Sequence, residues 1–210
     1  MNRPRGFTLV EVLVAMVIMA IMAVMAWQGV DGIVRTRAAS QQRLETTLRL
    51  NTVIAQWDQD LASIQDTGVI PAALACDGAT VRLTRRTPTG IQLVAWTLRP
   101  AADNTATWER WAGPAVTTNG ELNDSWLRSQ QLQGNEPGSL RTLTGLMGWQ
   151  VYFYQGNAWA NCQSTGNVSS PSGAASAPKI DLPDGVRVVL SFAPGSGVNG
   201  DLTRDTLLKR

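Results

Sequence analysis

The sequence predicts an α+β fold in which one long N-terminal helix packs on a mainly antiparallel β-sheet. Three observations predict it. An uncharged apolar segment covers residues 12–27. Apolar residues then recur at steps of three and four up to Ile64, which is the period of an amphipathic helix. Beyond Ile64 the chain has short runs rich in β-branched and aromatic residues, separated by Gly, Pro and Asn, which is typical of strands and turns.

The apolar segment has the length of a membrane-spanning helix. Residues 7–27 comprise 21 positions, and Glu11 is the only charged one among them. About 20 apolar residues are enough to cross a bilayer. A secretory signal peptide would have a shorter apolar core that ends in a small-residue cleavage site, whereas this segment continues through Met25 and Trp27. We therefore predict a membrane-spanning helix over residues 7–28.

An amphipathic continuation of this helix is predicted over residues 29–66. Its polar background includes Arg43, Glu45, Arg49, Gln56 and Asp60. Its apolar face consists of Leu44, Leu48, Val53, Ile54, Trp57, Leu61 and Ile64. No proline occurs between Pro4 and Pro71, so one helix of 58 residues, about 87 Å long, could cover residues 7–64. Gly29 and Gly32 are the predicted bend.

The β-rich domain is predicted over residues 67–210. The predicted strands cover residues 80–85, 91–99, 107–111, 149–154 and 186–192. Trp108 and Trp111 would face opposite sides of their strand. Residues 164–178 are of low complexity and predict a mobile loop. Residues 195–200 match the GxGxxG pattern, but only ten residues follow, so we predict a turn rather than a dinucleotide site.

The composition argues against catalysis and against nucleic-acid binding. The chain has no histidine, which removes the commonest general base and the most frequent metal ligand. It has 18 basic and 16 acidic residues, and removal of Arg3 and Arg5 with a leader would leave 16 of each. A protein that neutralises phosphates usually has a clear basic excess. We expect no catalytic residue, cofactor, metal ion or nucleic-acid partner.

The two cysteines, Cys76 and Cys162, are too few for a four-thiolate zinc site and too far apart for a redox CxxC motif. In an oxidising compartment they could form one disulfide. The alternative is two unrelated thiols.

Glu11 is out of place in an apolar helix. A carboxylate near the bilayer centre costs about 2.5 to 3.5 kcal/mol on insertion scales, and less near the interface. A helix that must align with another helix could pair this carboxylate with a cation. The candidate cation is a new amino terminus at Phe7.

Gly6, Phe7 and Glu11, preceded by a short basic leader and followed by the apolar segment, resemble the signal of type IV prepilins and pseudopilins. The resemblance implies that a prepilin peptidase removes residues 1–6, cutting between Gly6 and Phe7, and methylates the new amine of Phe7. It also implies that Glu11 pairs with the terminal amine of a neighbouring subunit. The protein would be a single-pass inner-membrane protein with its C-terminal domain in the periplasm.

The second half is similar to the J-type minor pseudopilins of type II secretion. The similar segments are residues 57–61, 143–146, 149–154 and 182–183. The resemblance implies a structural subunit that joins I-, K- and H-type minor pseudopilins at the tip of a pseudopilus. The major pseudopilin and an inner-membrane assembly platform would be further partners, and the assembly would aid export of folded periplasmic proteins.

Two alternatives remain. A minor pilin of a type IV pilus shares the N-terminal signal and differs in its partners. A membrane-tethered periplasmic enzyme or binding domain would need neither cleavage after Gly6 nor Glu11.

Overall fold

A computed structural model describes residues 8–164, 168–169 and 179–208 of the chain. It has a long apolar helix, α1 (Leu9–Ala62), followed by an antiparallel β-sheet domain, which confirms the predicted α+β fold. The chain divides within α1 into two compact units, Met1–Thr46 and Thr47–Arg210.

The described residues of the second unit form ten strands and a second helix, α2 (Asn119–Ser129). The strands are β1 (Leu74–Cys76), β2 (Thr80–Thr87), β3 (Gly90–Pro100), β4 (Ala106–Val116), β5 (Ser139–Gln155), β6 (Ala158–Asn161), β7 (Val168–Ser169), β8 (Lys179–Ile180), β9 (Gly185–Phe192) and β10 (Asp201–Leu207). Eight of them form one antiparallel sheet in the order β1-β2-β3-β4-β5-β9-β10, with β6 paired to β5. β7 and β8 pair with each other.

All five predicted strands lie within observed ones, namely β2, β3, β4, β5 and β9. The prediction missed β1, β6, β7, β8, β10, the first half of β5 and the helix α2. Its loop at residues 164–178 overlaps β7, and residues 165–167 and 170–178 of it lie outside the described residues. The predicted turn at residues 195–200 is present and leads into β10.

The sheet buries a different apolar layer on each face. On one face, Trp57 of α1 packs with Trp96 and Trp108, and the three ring centroids lie 4.4 to 5.5 Å apart. On the other face, Trp111 packs with Leu122 of α2. Trp108 and Trp111 therefore face opposite sides of β4, as predicted.

The apolar face predicted for α1 is confirmed only in its C-terminal part. Val53, Trp57 and Leu61 are buried against the sheet. Leu48, in the same unit, is 56% exposed, so its assignment to the core-facing side was wrong. Leu44 belongs to the first unit and is 58% exposed. Spacing alone could not show where along the helix the covered part begins.

Asp60 was predicted to belong to the polar face of α1, and this was wrong. Its carboxylate is fully buried. Oδ1 accepts hydrogen bonds from Arg85 Nη1 at 2.7 Å and Arg110 Nη2 at 2.9 Å. Oδ2 accepts from Arg110 Nε at 2.7 Å and Trp96 Nε1 at 2.9 Å. One buried carboxylate thus joins α1 to three consecutive strands.

Cys76 and Cys162 form a disulfide in the structure, with Cα atoms 5.8 Å apart. Trp149 Nε1 of β5 donates to the Gly78 carbonyl, just beyond β1, at 2.8 Å. In a flat sheet, four strand spacings would separate β1 from β5 by about 19 Å. The sheet is therefore strongly curved around its Trp-rich face, and the disulfide fastens its short edge strand β1.

Asp77 lies between β1 and β2, next to the disulfide-bonded Cys76. Burial raises the pKa of its carboxyl, but hydrogen bonds from the Arg82 guanidinium and from the backbone N–H groups of Thr80 and Ala79 outweigh burial and bring the pKa below its ordinary value. Asp77 is therefore ionised at neutral pH and pairs with Arg82 Nη1 at 2.6 Å.

We expect Asp60→Asn to lower the free energy of unfolding by about 3 to 5 kcal/mol, because it leaves two guanidinium groups facing a neutral amide in a buried place. The measurement is urea unfolding of the full chain in detergent, followed by tryptophan fluorescence. Asp58→Asn, two residues before Asp60 in the same helix, is the matched control. Its partner Arg204 is 50% exposed, so a loss below about 1 kcal/mol is expected. Equal losses in the two variants would contradict the role of Asp60.

The free energy of unfolding of the double variant Cys76→Ala, Cys162→Ala should be about 4 kcal/mol lower than that of the parent, because the disulfide closes a loop with a sequence separation of 86. A reducing agent should destabilise the parent to the same extent and leave the double variant unchanged. If reduction left the parent as stable as before, the disulfide would not contribute to stability.

Candidate assembly site

The start of α1 is built around Thr8 and Glu11. The backbone N–H of Thr8 and its hydroxyl Oγ1 both donate to Glu11 Oε2, each at 2.9 Å. The backbone N–H of Glu11 donates in return to Thr8 Oγ1 at 3.3 Å. This reciprocal arrangement is a capping box, which satisfies backbone donors that have no partner within the helix.

The capping box uses only one of the two carboxylate oxygens of Glu11, Oε2. Both bonds from Thr8 go to Oε2, and Oε1 accepts no hydrogen bond from any described residue. A carboxylate at the N-terminal end of a helix is also favoured by the helix dipole. The sequence prediction identified Glu11 and missed Thr8, although the spacing T-x-x-E at residues 8–11 is the sequence signal of a capping box.

Gly6 and Phe7 lie outside the described residues. The cleavage between them, the methylation of Phe7 and the pairing of Glu11 with a neighbouring amine all remain predictions.

The apolar side chains beyond Glu11 are exposed around the whole helix. Val12, Leu13 and Val14, which point in three different directions, are 45%, 55% and 52% exposed. Trp27, at the end of the uncharged segment, is 76% exposed. α1 is long and apolar enough to cross a membrane. A helix that is apolar on all sides is stable only in lipid or when surrounded by other apolar helices.

Gly29 and Gly32 follow the apolar segment. α1 continues through both, and the predicted bend stays a prediction. A Cβ atom at either position would meet no atom within 4 Å among the described residues. Each glycine costs a helix about 1 kcal/mol relative to alanine. The described contacts of the chain give no reason for these two glycines.

Residues 1–27 match the family model of the prokaryotic N-terminal methylation motif. The motif overlaps the start of α1, and an antiparallel sheet domain follows that long apolar helix. The helix and the sheet together are a pilin-like architecture. The motif and the fold support a type IV prepilin-like protein, and they imply processing by a prepilin peptidase and assembly with other pilin subunits.

No curated protein matches the chain.

Proposed function

We propose that this protein is a minor pseudopilin of type II secretion, a structural subunit of the pseudopilus tip that starts assembly and aids export of folded periplasmic proteins. The methylation motif at residues 1–27, placed directly on a helix that can cross a membrane, supports the pilin-like class. The observation that carries the choice of this member of the class is the similarity of residues 57–61, 143–146 and 149–154 to J-type pseudopilins.

The proposed mature protein starts at Phe7. Residues 1–6 are the leader, residues 7–28 the membrane and assembly helix, residues 29–66 its amphipathic continuation and residues 67–210 the periplasmic domain. The N-terminal Arg3 and Arg5 keep the leader in the cytoplasm, since cytoplasmic flanks of membrane helices are rich in Lys and Arg.

Glu11 acts in two stages in this proposal. Before assembly, the capping box with Thr8 holds its carboxylate through Oε2. During assembly, the methylated amine of Phe7 on a neighbouring subunit pairs with Oε1. A charge in an apolar surrounding is costly unless it is paired. Only the correct alignment of the two helices supplies the pair, so Glu11 sets the register between subunits.

In this proposal the soluble domain moves together with the helix, because Asp60 of α1 is bonded to the sheet. A pull on α1 during assembly is resisted by the charge-assisted hydrogen bonds of Arg85 and Arg110 to Asp60. The I-, K- and H-type minor pseudopilins, the major pseudopilin and the inner-membrane platform are the proposed partners. No chemical step is assigned to the subunit itself.

A minor pilin of a type IV pilus is the second candidate, and the motif is equally consistent with it. Affinity purification of the full chain from detergent-solubilised membranes distinguishes the two. Recovery of I- and K-type pseudopilins supports the type II secretion role, whereas recovery of pilus minor pilins supports the alternative.

Intact mass and N-terminal fragmentation of the membrane-extracted protein should show a chain that begins with N-methyl-Phe7. The reason is the cleavage and methylation that the motif implies. A mature chain that still begins with Met1 would contradict the proposal and favour a membrane-tethered enzyme or binding domain.

Glu11→Ala should insert into the membrane and be processed normally, but enter assemblies poorly, because the neighbouring amine loses its carboxylate. The measurement compares the processed protein in membrane and sheared-filament fractions. Glu45→Ala, which removes an exposed carboxylate later in the same helix, is the control and should assemble normally. Normal assembly of the Glu11 variant would exclude the register role.

A further inference from the structure

β10 is the last strand on one side of the eight-stranded sheet. It pairs with β9 over seven residues, and no described strand pairs with its other side. The strand at the opposite end, β1, has three residues and is fastened by the disulfide. Natural proteins usually keep edge strands short or covered, because a long open edge can pair with another chain. Among the described residues, the sheet is therefore protected at its β1 edge and unpaired at its β10 edge.

The hydrogen bonds of β10 show which backbone groups are open. The N–H of Leu208 donates to the Asp184 carbonyl at 2.9 Å, directly beyond the Leu207–Gly185 pair. In an antiparallel pair, alternate residues direct their N–H and C=O groups towards the partner strand. Residues 202, 204 and 206 therefore bond to β9. The N–H and C=O groups of Asp201, Thr203, Asp205 and Leu207 point away from the sheet.

Nothing among the described residues blocks this row of groups. The pairing of β9 with β10 has no register shift, and β10 contains no proline. The Arg204 side chain is drawn onto α1, where its Nη2 lies 2.7 Å from Asp58 Oδ2. Asp205 is held on the outer sheet face by Arg187, whose hydrogen bond lowers the pKa of the Asp205 carboxyl. The charged side chains of β10 are thus directed to the two faces of the sheet and leave its edge open.

We infer that the open edge of β10 binds an extended segment of another pilin-like subunit by β-strand addition. This rests on the proposed function, which supplies such subunits. Main-chain hydrogen bonds would give the affinity of the contact, and alternate side chains its specificity.

The outer face of β10 defines the chemistry of the partner segment. Leu207 is 79% exposed, and the exposed Asp201 has no ion pair with any described residue. Directly opposed side chains on neighbouring strands stabilise the pair when both are apolar or when their charges are opposite. The segment therefore carries an apolar residue opposite Leu207 and a Lys or Arg opposite Asp201. These two residues are six positions apart, so they lie on the same face of the segment.

Hydrogen exchange measures the strand addition directly. The full chain is expressed alone and, separately, together with the other pilin-like subunits of its source bacterium, and each form is extracted in mild detergent. In the complex, the amides of residues 203, 205 and 207 should exchange at least about fivefold more slowly than in the lone chain. The amides of residues 202, 204 and 206 bond to β9 in both forms and provide the internal reference.

Thr203→Pro removes one outward N–H and no bond to β9, so β10 should stay in the sheet. We expect it to weaken the complex about fivefold, the effect of one lost hydrogen bond. Thr203→Ala is the matched control, since it removes the same side chain, keeps the N–H and should leave the affinity unchanged. Near-ultraviolet circular dichroism of the Trp96 and Trp108 pair checks that both variants remain folded.

Each outcome decides a different point. A complex in which the outward amides exchange as in the lone chain, or in which Thr203→Pro binds as well as Thr203→Ala, overturns the strand addition and leaves the proposed function standing. If no complex forms and the membrane-extracted chain still carries its leader, the proposed function and the strand addition are both overturned.

Discussion

The buried carboxylate of Asp60 is the interaction on which the soluble domain depends. A lone buried charge is costly, and it is tolerated here because two guanidinium groups and one indole N–H all reach it. These donors come from β2, β3 and β4, while Asp60 comes from α1. Asp60 therefore bonds the helix to the sheet directly beside the packed tryptophans of α1, β3 and β4.

α1 has two parts with different chemistry. From Val53 to Leu61 the helix is held by the sheet, and its buried side includes a charge. From Val12 to Trp27 it has no charge, and its side chains are exposed. Glu11, at the beginning of that apolar part, has one carboxylate oxygen bonded to Thr8, and its other oxygen accepts no hydrogen bond from the part of the chain that the structure describes. A proposed assembly subunit needs both ends: one that can leave lipid for a neighbouring helix, and one that carries a folded domain with it.

Prediction from sequence succeeded where one residue type or one period dominates. The central strands were found because β-branched and aromatic residues fill them, and they are buried on both faces, as in Leu93, Val94, Ala95 and Trp96 of β3. Prediction failed where hydrogen bonds to a neighbouring strand, rather than amino-acid composition, determine that a segment is a strand. β10 is mostly polar, and it is a strand because β9 supplies its hydrogen bonds. α2 packs Leu122 and the partly buried Trp126 on the sheet, and an apolar face of two residues is too short to establish a helical period in the sequence.

The class of the protein follows from local sequence, because the leader, Glu11 and the uncharged segment are adjacent in the chain and act through local chemistry. The α+β architecture follows from local sequence too, since helix and strand periods can be read over a few residues. The burial of Asp60, the bond between Cys76 and Cys162 and the lack of a described strand beyond β10 are visible only in the folded structure. Each of these depends on residues far apart in the chain, such as Asp60 and Arg110, whose proximity no local pattern records.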